Sequence, residues 1–303
     1  MKLVTTVAEL QAQAREWQAE GHPVALVPTM GALHAGHVSL VHAAREARPG
    51  EPAPRVIVSI FVNPLQFGEG EDFTRYPRSL EEDLEVLERA GADAVFNPSV
   101  AEVYPPGFDT MVTAGAVAAP LEGAARPGHF DGVVTAVTRL LGAANADRAF
   151  FGEKDAQQLA VVRRMVADLA IPVEIVPGPT VREIDGLAMS SRNRYLGVED
   201  RAHALALVRA LAEAQAMHQA GISDIPAIED AMREVLEAHP GVRTEYARIV
   251  DPSTFEGPAA GRPRLAVIAA RVGPARLIDN AALDAADLVA LRPVHPDAQP
   301  MAV

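Results

Sequence analysis
Short apolar runs recur through the first part of the chain, at residues 24–27, 56–62, 94–96, 149–151 and 173–176. Most are apolar without alternation, the pattern of strands covered on both faces. Between them the spacing predicts helices over residues 36–47, 80–90, 133–144 and 157–169. Val134, Val137, Leu140 and Leu141 should face a core, and Ser79 with Glu82 reads as a capping box for the helix at 80–90. Strands alternating with helices imply an α/β fold built on a doubly wound parallel sheet. Sheets of this kind bind ligands at the carboxyl ends of their strands, where the strand order reverses.

Three polar motifs sit just past predicted strands. The first is Pro28-Thr29-Met30-Gly31-Ala32-Leu33-His34-Ala35-Gly36-His37. Gly36 would let a phosphate approach the backbone, and a new helix offers N–H groups and the positive end of its dipole. Two imidazoles beside that phosphate can donate to charge that develops during transfer. The second is Phe61-Val62-Asn63-Pro64-Leu65-Gln66-Phe67, which brings amides able to read hydroxyls and carboxylates without adding charge. An Asn-Pro turn is a common way to leave a strand, but it does not account for Gln66. The third runs from Phe150-Phe151-Gly152-Glu153-Lys154-Asp155 to Gln158, with Lys154 as a point charge for a phosphate and Gln158 on the first turn of a helix. Solvated surface charge is the alternative for Lys154 and Asp155.

A fourth motif, Met189-Ser190-Ser191-Arg192-Asn193, follows the loop that starts at Pro179 and includes Val181. Two hydroxyls and a guanidinium in a row suit phosphate oxygens, and a polar loop that caps the next helix is the alternative. Residues 68–72 form a glycine-rich acidic loop, a candidate lid. Past residue 186 the texture changes to alanine-rich amphipathic helices at 201–219 and 225–238, with Leu205, Val208 and Leu211 on one stripe. Antiparallel strands are then predicted at 244–250, 265–271 and 276–278. The expected organisation is a nucleotide-binding Rossmann-like domain over residues 1–185, a smaller α+β lid domain over 186–283, and a flexible tail over 284–303 carrying Pro293, Pro296 and Pro300.

Composition narrows the classes. A net charge of −13 over 303 residues disfavours nonspecific binding to nucleic acid or anionic membranes. It also requires any anion pocket to be local, built from Lys154, Arg126, Arg182, Arg192 and helix amino ends. The chain has no cysteine, which excludes disulfides, thiolate metal sites and a cysteine nucleophile. No apolar run approaches the ~20 residues that span a bilayer. Residues 1–15 lack the basic-then-apolar pattern of a signal peptide, so the cytoplasm is the expected location.

Together the four motifs resemble the pantothenate synthetase (pantoate–beta-alanine ligase) family of the nucleotidylyl-transferase superfamily. His34-Ala35-Gly36-His37 is similar to the superfamily's HIGH signature, and Met189 to Arg192 stands where a KMSKS-type loop often lies. The resemblance extends through Glu122-Gly123 and Arg126-Pro127-Gly128-His129-Phe130-Asp131-Gly132-Val133, and it runs to about residue 283. It implies ATP-dependent condensation of pantoate with beta-alanine through a pantoyl adenylate, with Mg2+ on the phosphates. It also implies a homodimer, with neither nucleic acid nor membrane as partner.

The resemblance implies roles as well. His37, His34 and Lys154 would be catalytic. Met30, Gly31, Ala32, Leu33, His34, Ala35, Gly36, His37, Gly152, Glu153, Lys154, Asp155, Val181, Met189, Ser190, Ser191 and Arg192 would bind ATP. Gln66, Gln158 and Asn63 would bind substrate. No metal ligand is assigned, although Asp83 is a position to inspect. Another adenylyl- or cytidylyl-transferase on the same fold, acting on a phosphorylated acceptor, stays open at this point.

Overall fold
A computed structural model describes residues 1–68, 70, 71, 73–77 and 79–285. The chain divides into two compact units. The first comprises Met1–Leu33, His37–Glu153 and Gln158–Gly178, and the second His34–Gly36, Lys154–Gln157 and the chain from Pro179 onward. From residue 286 the expected flexible tail lies outside the described residues, as do Glu69 and Asp72 of the acidic loop.

The first unit holds a six-stranded sheet of β1 (Lys2–Val4), β2 (Val24–Thr29), β3 (Arg55–Ile60), β4 (Ala94–Phe96), β5 (Arg148–Gly152) and β6 (Glu174–Gly178). Every pairing is parallel, in the order β1-β4-β3-β2-β5-β6. From β2 the order steps one way through β3 and β4 and the other way through β5 and β6, so it reverses between β2 and β5. Those strands meet through Ala25 against Arg148 and Leu26 against Ala149. The associated helices are α1 (Val7–Ala19), α2 (Ala35–Arg45), α3 (Leu80–Ala90), α4 (Val100–Val103), α5 (Glu122–Ala125), α6 (His129–Ala144) and α7 (Ala156–Asp168).

Side-chain alternation explains the continuous apolar runs. Val24, Leu26, Ile57 and Phe96 pack in one core layer with Leu10, Val133, Val134, Val137, Leu140, Leu141 and Leu159. Their neighbours Ala25, Val27, Val56, Val58 and Val95 enter another layer with Leu40, Val41 and Leu87. Both faces of the central strands are therefore covered, and residues of either parity are mostly apolar there.

Two local expectations change. A first strand and helix, β1 and α1, precede the predicted pattern, and Thr6 with Glu9 forms a reciprocal capping box on α1. Ser79 does occupy the N-cap of α3, but it makes no capping bond. Its ψ of 65° departs from the extended backbone that directs a cap oxygen at the N3 amide, and its buried hydroxyl has no partner among the described residues.

The second unit contains α8 (Val198–Gln219), α9 (Ile225–Glu237) and an antiparallel sheet of β7 (Val242–Val250), β8 (Leu265–Val272) and β9 (Ala275–Ala282), in sequence order. Leu207, Leu211, Ile228, Met232, Leu236, Ile249 and Ile268 fill its core. Among the described residues, no helix is long and apolar enough to cross a membrane.

Candidate active site
The sheet reverses its order between the two strands that lead into the first and third motifs. Thr29 ends β2, and its Oγ1 donates to the Ser59 carbonyl at 2.7 Å while accepting from Gly31 N–H at 3.2 Å. Gly31 and Ala32 then take consecutive positive φ values of 78° and 50°. Buried Asp83, from α3, holds this turn by accepting from Ala32 N–H at 2.9 Å and Leu33 N–H at 2.8 Å. A Cβ on Gly31 would sit 2.8 Å from Asp83 Oδ2, so the position needs glycine for space as well as for φ. With an oxygen on each of two backbone amides, Asp83 acts as an anchor for the turn and is poorly disposed to bind a cation.

His34 folds back over its own turn. Its Nδ1 lies 3.1 Å from Gly36 N–H and accepts from it, so a neutral ring carries its proton on Nε2. A Cβ on Gly36 would lie 2.9 Å from His34 Cε1 and 3.9 Å from Met189 Cβ. Gly36 thus leaves room for the imidazole, and within the second unit the first and fourth motifs adjoin. His37 lies on the first turn of α2 and groups with the first unit.

At the end of β3, Pro64–Gln66 forms a 3-10 turn capped by Asn63. Asn63 is 2% exposed, and all its amide valences are used. Its Oδ1 accepts from Leu65 N–H at 3.2 Å and Tyr104 O–H at 2.8 Å. Its Nδ2 donates to the Gly132 carbonyl at 3.0 Å and Gln66 Oε1 at 3.1 Å. Gln66 Nε2 in turn reaches Met30 Sδ at 2.9 Å. Two predicted motifs are therefore joined through Met30, Asn63 and Gln66. Burial pushes the Tyr104 phenol up to about 12, which keeps it a donor.

Arg126 and His129 complete this side. The Gln66 carbonyl accepts from His129 Nδ1 at 2.8 Å and Arg126 Nη2 at 3.3 Å. Arg126 Nη1 meets His129 Nε2 at 3.0 Å, and Nε and Nη2 each donate to Glu71 at 2.7 Å. Burial and then the adjacent Arg126 charge push the His129 imidazole down to about 4. Burial acts to raise Glu71, but the Arg126 bonds and charge outweigh it and hold its carboxyl below the usual range.

In the second unit, the Lys154 ammonium lies 3.5 Å from Asp155 Oδ2, and the Lys154 carbonyl accepts from Asn280 Nδ2 at 2.9 Å. The loop carrying Val181 and Met189 is a hairpin, closed by Met189 N–H on the Val181 carbonyl at 3.0 Å and by an Arg182–Ala188 bridge. Ser190 caps the 3-10 turn Ser191–Tyr195 by accepting from Arg192 N–H at 3.3 Å. Asn193 ties that turn back to Glu183 and the Ala188 carbonyl.

The expected positive pocket needs correction. Arg182 forms a two-bond pair with Asp279 at 2.7 and 2.9 Å, with both side chains only 2% exposed. It is a buried structural pair, because desolvation requires a buried guanidinium to keep its carboxylate. Arg126 is similarly matched by Glu71. Of the four cations expected to gather, these two serve architecture.

Gly152, Glu153 and Gln158 belong to the first unit, along with Met30, Gly31, Ala32, Leu33, His37, Asn63 and Gln66. Ala35, Asp155, Val181 and Ser191 belong to the second, with His34, Gly36, Lys154, Met189, Ser190 and Arg192. Sequence reasoning missed Tyr104, Asp279 and Asn280, whose partners lie 41, 97 and 126 positions away. It noted Arg126 and His129 within one motif without seeing that both bond the Gln66 carbonyl.

Comparison with known proteins decides among the enzymes that share such a sheet. The family model described as pantoate-beta-alanine ligase matches residues 2–282. The chain belongs to the pantoate–beta-alanine ligase family. It is 52% identical over 290 residues to the pantothenate synthetase of Rubrobacter xylanophilus, covering 93% of this chain and 98% of that protein. It is 56% identical over 280 residues to that of a Nocardioides species, covering 90% and 82%. The Thermus thermophilus pantothenate synthetase structure superposes with a TM-score of 0.87 at 49% identity, over 93% of this chain and 99% of that one. The Francisella tularensis ligase, solved in complex with beta-gamma ATP and beta-alanine, gives 0.76 at 30% identity over 94% and 98%. The protein is therefore a ligase of pantothenate biosynthesis, and the rival transferases on this fold are set aside.

Proposed function
We propose that this ligase activates (R)-pantoate with ATP to form pantoyl adenylate, and that beta-alanine then captures the adenylate to give pantothenate. The observation that carries the reading is the linked Met30–Asn63–Gln66 side-chain cluster at the carboxyl ends of β2 and β3, the edge on which a doubly wound sheet takes its ligand, with β2 also bordering the reversal of strand order. The ATP and beta-alanine named in the Francisella complex support the same substrates here.

In the first step a pantoate carboxylate oxygen attacks the α-phosphorus. The bond to the bridging oxygen breaks, and pyrophosphate leaves with its electrons. His34, His37 and Lys154 donate to phosphate oxygens as negative charge moves onto the leaving group. Met30–Leu33, Ala35, Gly36 and Gly152–Asp155 line the nucleotide, Val181 meets adenine through its backbone, and Met189 to Arg192 hold the triphosphate. Gln66, Gln158 and Asn63 hold pantoate, Asn63 mainly by orienting Gln66. In the second step the beta-alanine amine attacks the acyl carbon, AMP leaves with the bonding electrons, and the nitrogen loses a proton. Neither step needs a covalent enzyme intermediate.

Magnesium is proposed to accompany ATP, where it would neutralise phosphate charge. Among the described residues no three His, Asp or Glu side chains converge to hold an ion, and the carboxylate of Asp83 is already engaged. The residues present therefore do not make a dedicated cage, and phosphates and water would supply most ligands. The resemblance also supports a smaller domain closing over the nucleotide, a homodimer and a cytoplasmic location. A coupled assay for AMP release, with pantoate and beta-alanine omitted in turn, tests the reading. AMP should require both substrates over many turnovers, while pyrophosphate exchange into ATP should require pantoate alone. Exchange that proceeds without pantoate overturns it.

A further inference from the structure
We infer that Arg126 and His129 are positioning residues that clamp the main-chain carbonyl of Gln66 and thereby set the direction of its side-chain amide. The inference rests on the proposed role of Gln66 toward pantoate and adds two groups to it. Gln66 ends a three-residue 3-10 turn, and such a short turn has little rigidity of its own. Its side chain is held by Asn63 at one end and Met30 at the other. Among the described residues, its backbone is held through the carbonyl bonds to His129 and Arg126 and the long 3.4 Å bond of its N–H to the Asn63 carbonyl.

The chemistry of the clamp is directional. A carbonyl only accepts, so His129 Nδ1 carries the proton and Nε2 accepts from Arg126 Nη1. Glu71 occupies the opposite edge of the guanidinium with two bonds, which fixes its plane and supplies the charge it needs when half-buried. Glu71 lies in the sequence between Phe67 and Phe73, and the Phe67 ring, next to Gln66, contacts Phe73 and Tyr76 edge-on at 5.3 and 6.0 Å. A close backbone approach fixes the other side of the turn. A Cβ on Gly132 would fall 2.1 Å from the Leu65 carbonyl oxygen, so α6 can reach this turn only with glycine there.

An asparagine at position 129 can place its amide nitrogen near the site of Nδ1, whereas glutamine places it near Nε2. Pantoate KM, ATP KM and kcat are measured for His129→Asn, His129→Gln, His129→Leu, Gln66→Ala and the double variant Gln66→Ala with His129→Leu, with urea unfolding as a check on folding. Loss of the donor in His129→Gln and His129→Leu should raise pantoate KM roughly tenfold, the equivalent of one ordinary hydrogen bond, with kcat and ATP KM little changed. His129→Asn should restore most of the loss, and His129→Leu should add nothing once Gln66 is alanine. If His129→Asn behaves like His129→Leu, or if the double variant is additive, the clamp is overturned while the role of Gln66 stands. If Gln66→Ala leaves pantoate KM unchanged, the assignment of Gln66 falls and takes the clamp with it.

Discussion
Lys154 and His37 are the side chains on which the proposed adenylation leans most, because charge moves onto pyrophosphate oxygens that a donor or cation must meet. Replacing either by alanine should slow single-turnover adenylation by ~10²–10³, the usual effect of removing one preorganised donor from a developing oxyanion. Near-normal single-turnover rates would exclude that residue from the chemistry. The finding that Arg182 is spent on Asp279 and Arg126 on Glu71 raises the share that falls to Lys154. His129 gives a prediction of another kind. Its imidazole protonates at about 4 when folded, against an ordinary 6.5. Between those values the unfolded chain binds a proton that the native state does not, so stability drops as pH falls from 6.5 towards 4. The full effect is up to about 3 kcal/mol. Urea midpoints measured across this range should decline with pH, and His129→Asn should flatten the decline. An unchanged slope in that variant would assign the decline to other groups. At this scale the sequence displayed the residue types at Gln66, Lys154 and the histidines, from which their proposed roles are argued. It could not display Tyr104 on Asn63, because that bond exists only after distant segments fold together.

Among the elements, strands buried on both faces were legible because their apolar runs have no alternation to misread. β1 was not, being three residues with one buried position. The capping box at Ser79 failed for a related reason. Residue types suggest a cap, but backbone torsion decides it, and Ser79 has a ψ of 65°. The helix instead contributes Asp83 to the turn after β2, a link between elements about fifty residues apart in the chain. The hairpin from Val181 to Met189 depends likewise on a partner far along the sequence, Asp279 in β9. Removing either member of that buried pair should destabilise the protein by about 3–5 kcal/mol, since the survivor keeps its charge without compensation. Replacing both, as Arg182→Met with Asp279→Leu, should recover most of that loss in chemical denaturation. A double variant as unstable as the singles would show that the pair does more than balance charge, for example through the Arg182 bond to the Gly186 carbonyl and the Asp279 bond to Asn280 N–H.

For the molecule as a whole, the tension is between a net charge of −13 and substrates that are themselves anions. The fold class, a doubly wound sheet with a smaller α+β part, follows from patterns that local sequence carries. The allocation of charge does not, because it depends on which cations the fold consumes in ion pairs. Repulsion from an acidic body acts over long range, and salt screens it once separations exceed the Debye length of ~10 Å at 0.1 M. Attraction to Lys154 and to helix amino ends acts within a few ångströms and is screened less. Added salt should therefore remove the barrier to approach before it weakens the bound state. ATP association measured by stopped flow should speed up between roughly 10 and 100 mM NaCl, with dissociation nearly unchanged. Lys154→Gln should show the same acceleration from a lower starting rate, since the long-range field is almost the same and only the local attraction is lost. A wild-type association rate that falls steadily with salt would mean that the approach is steered by a positive field, and the local account of anion binding would then fail.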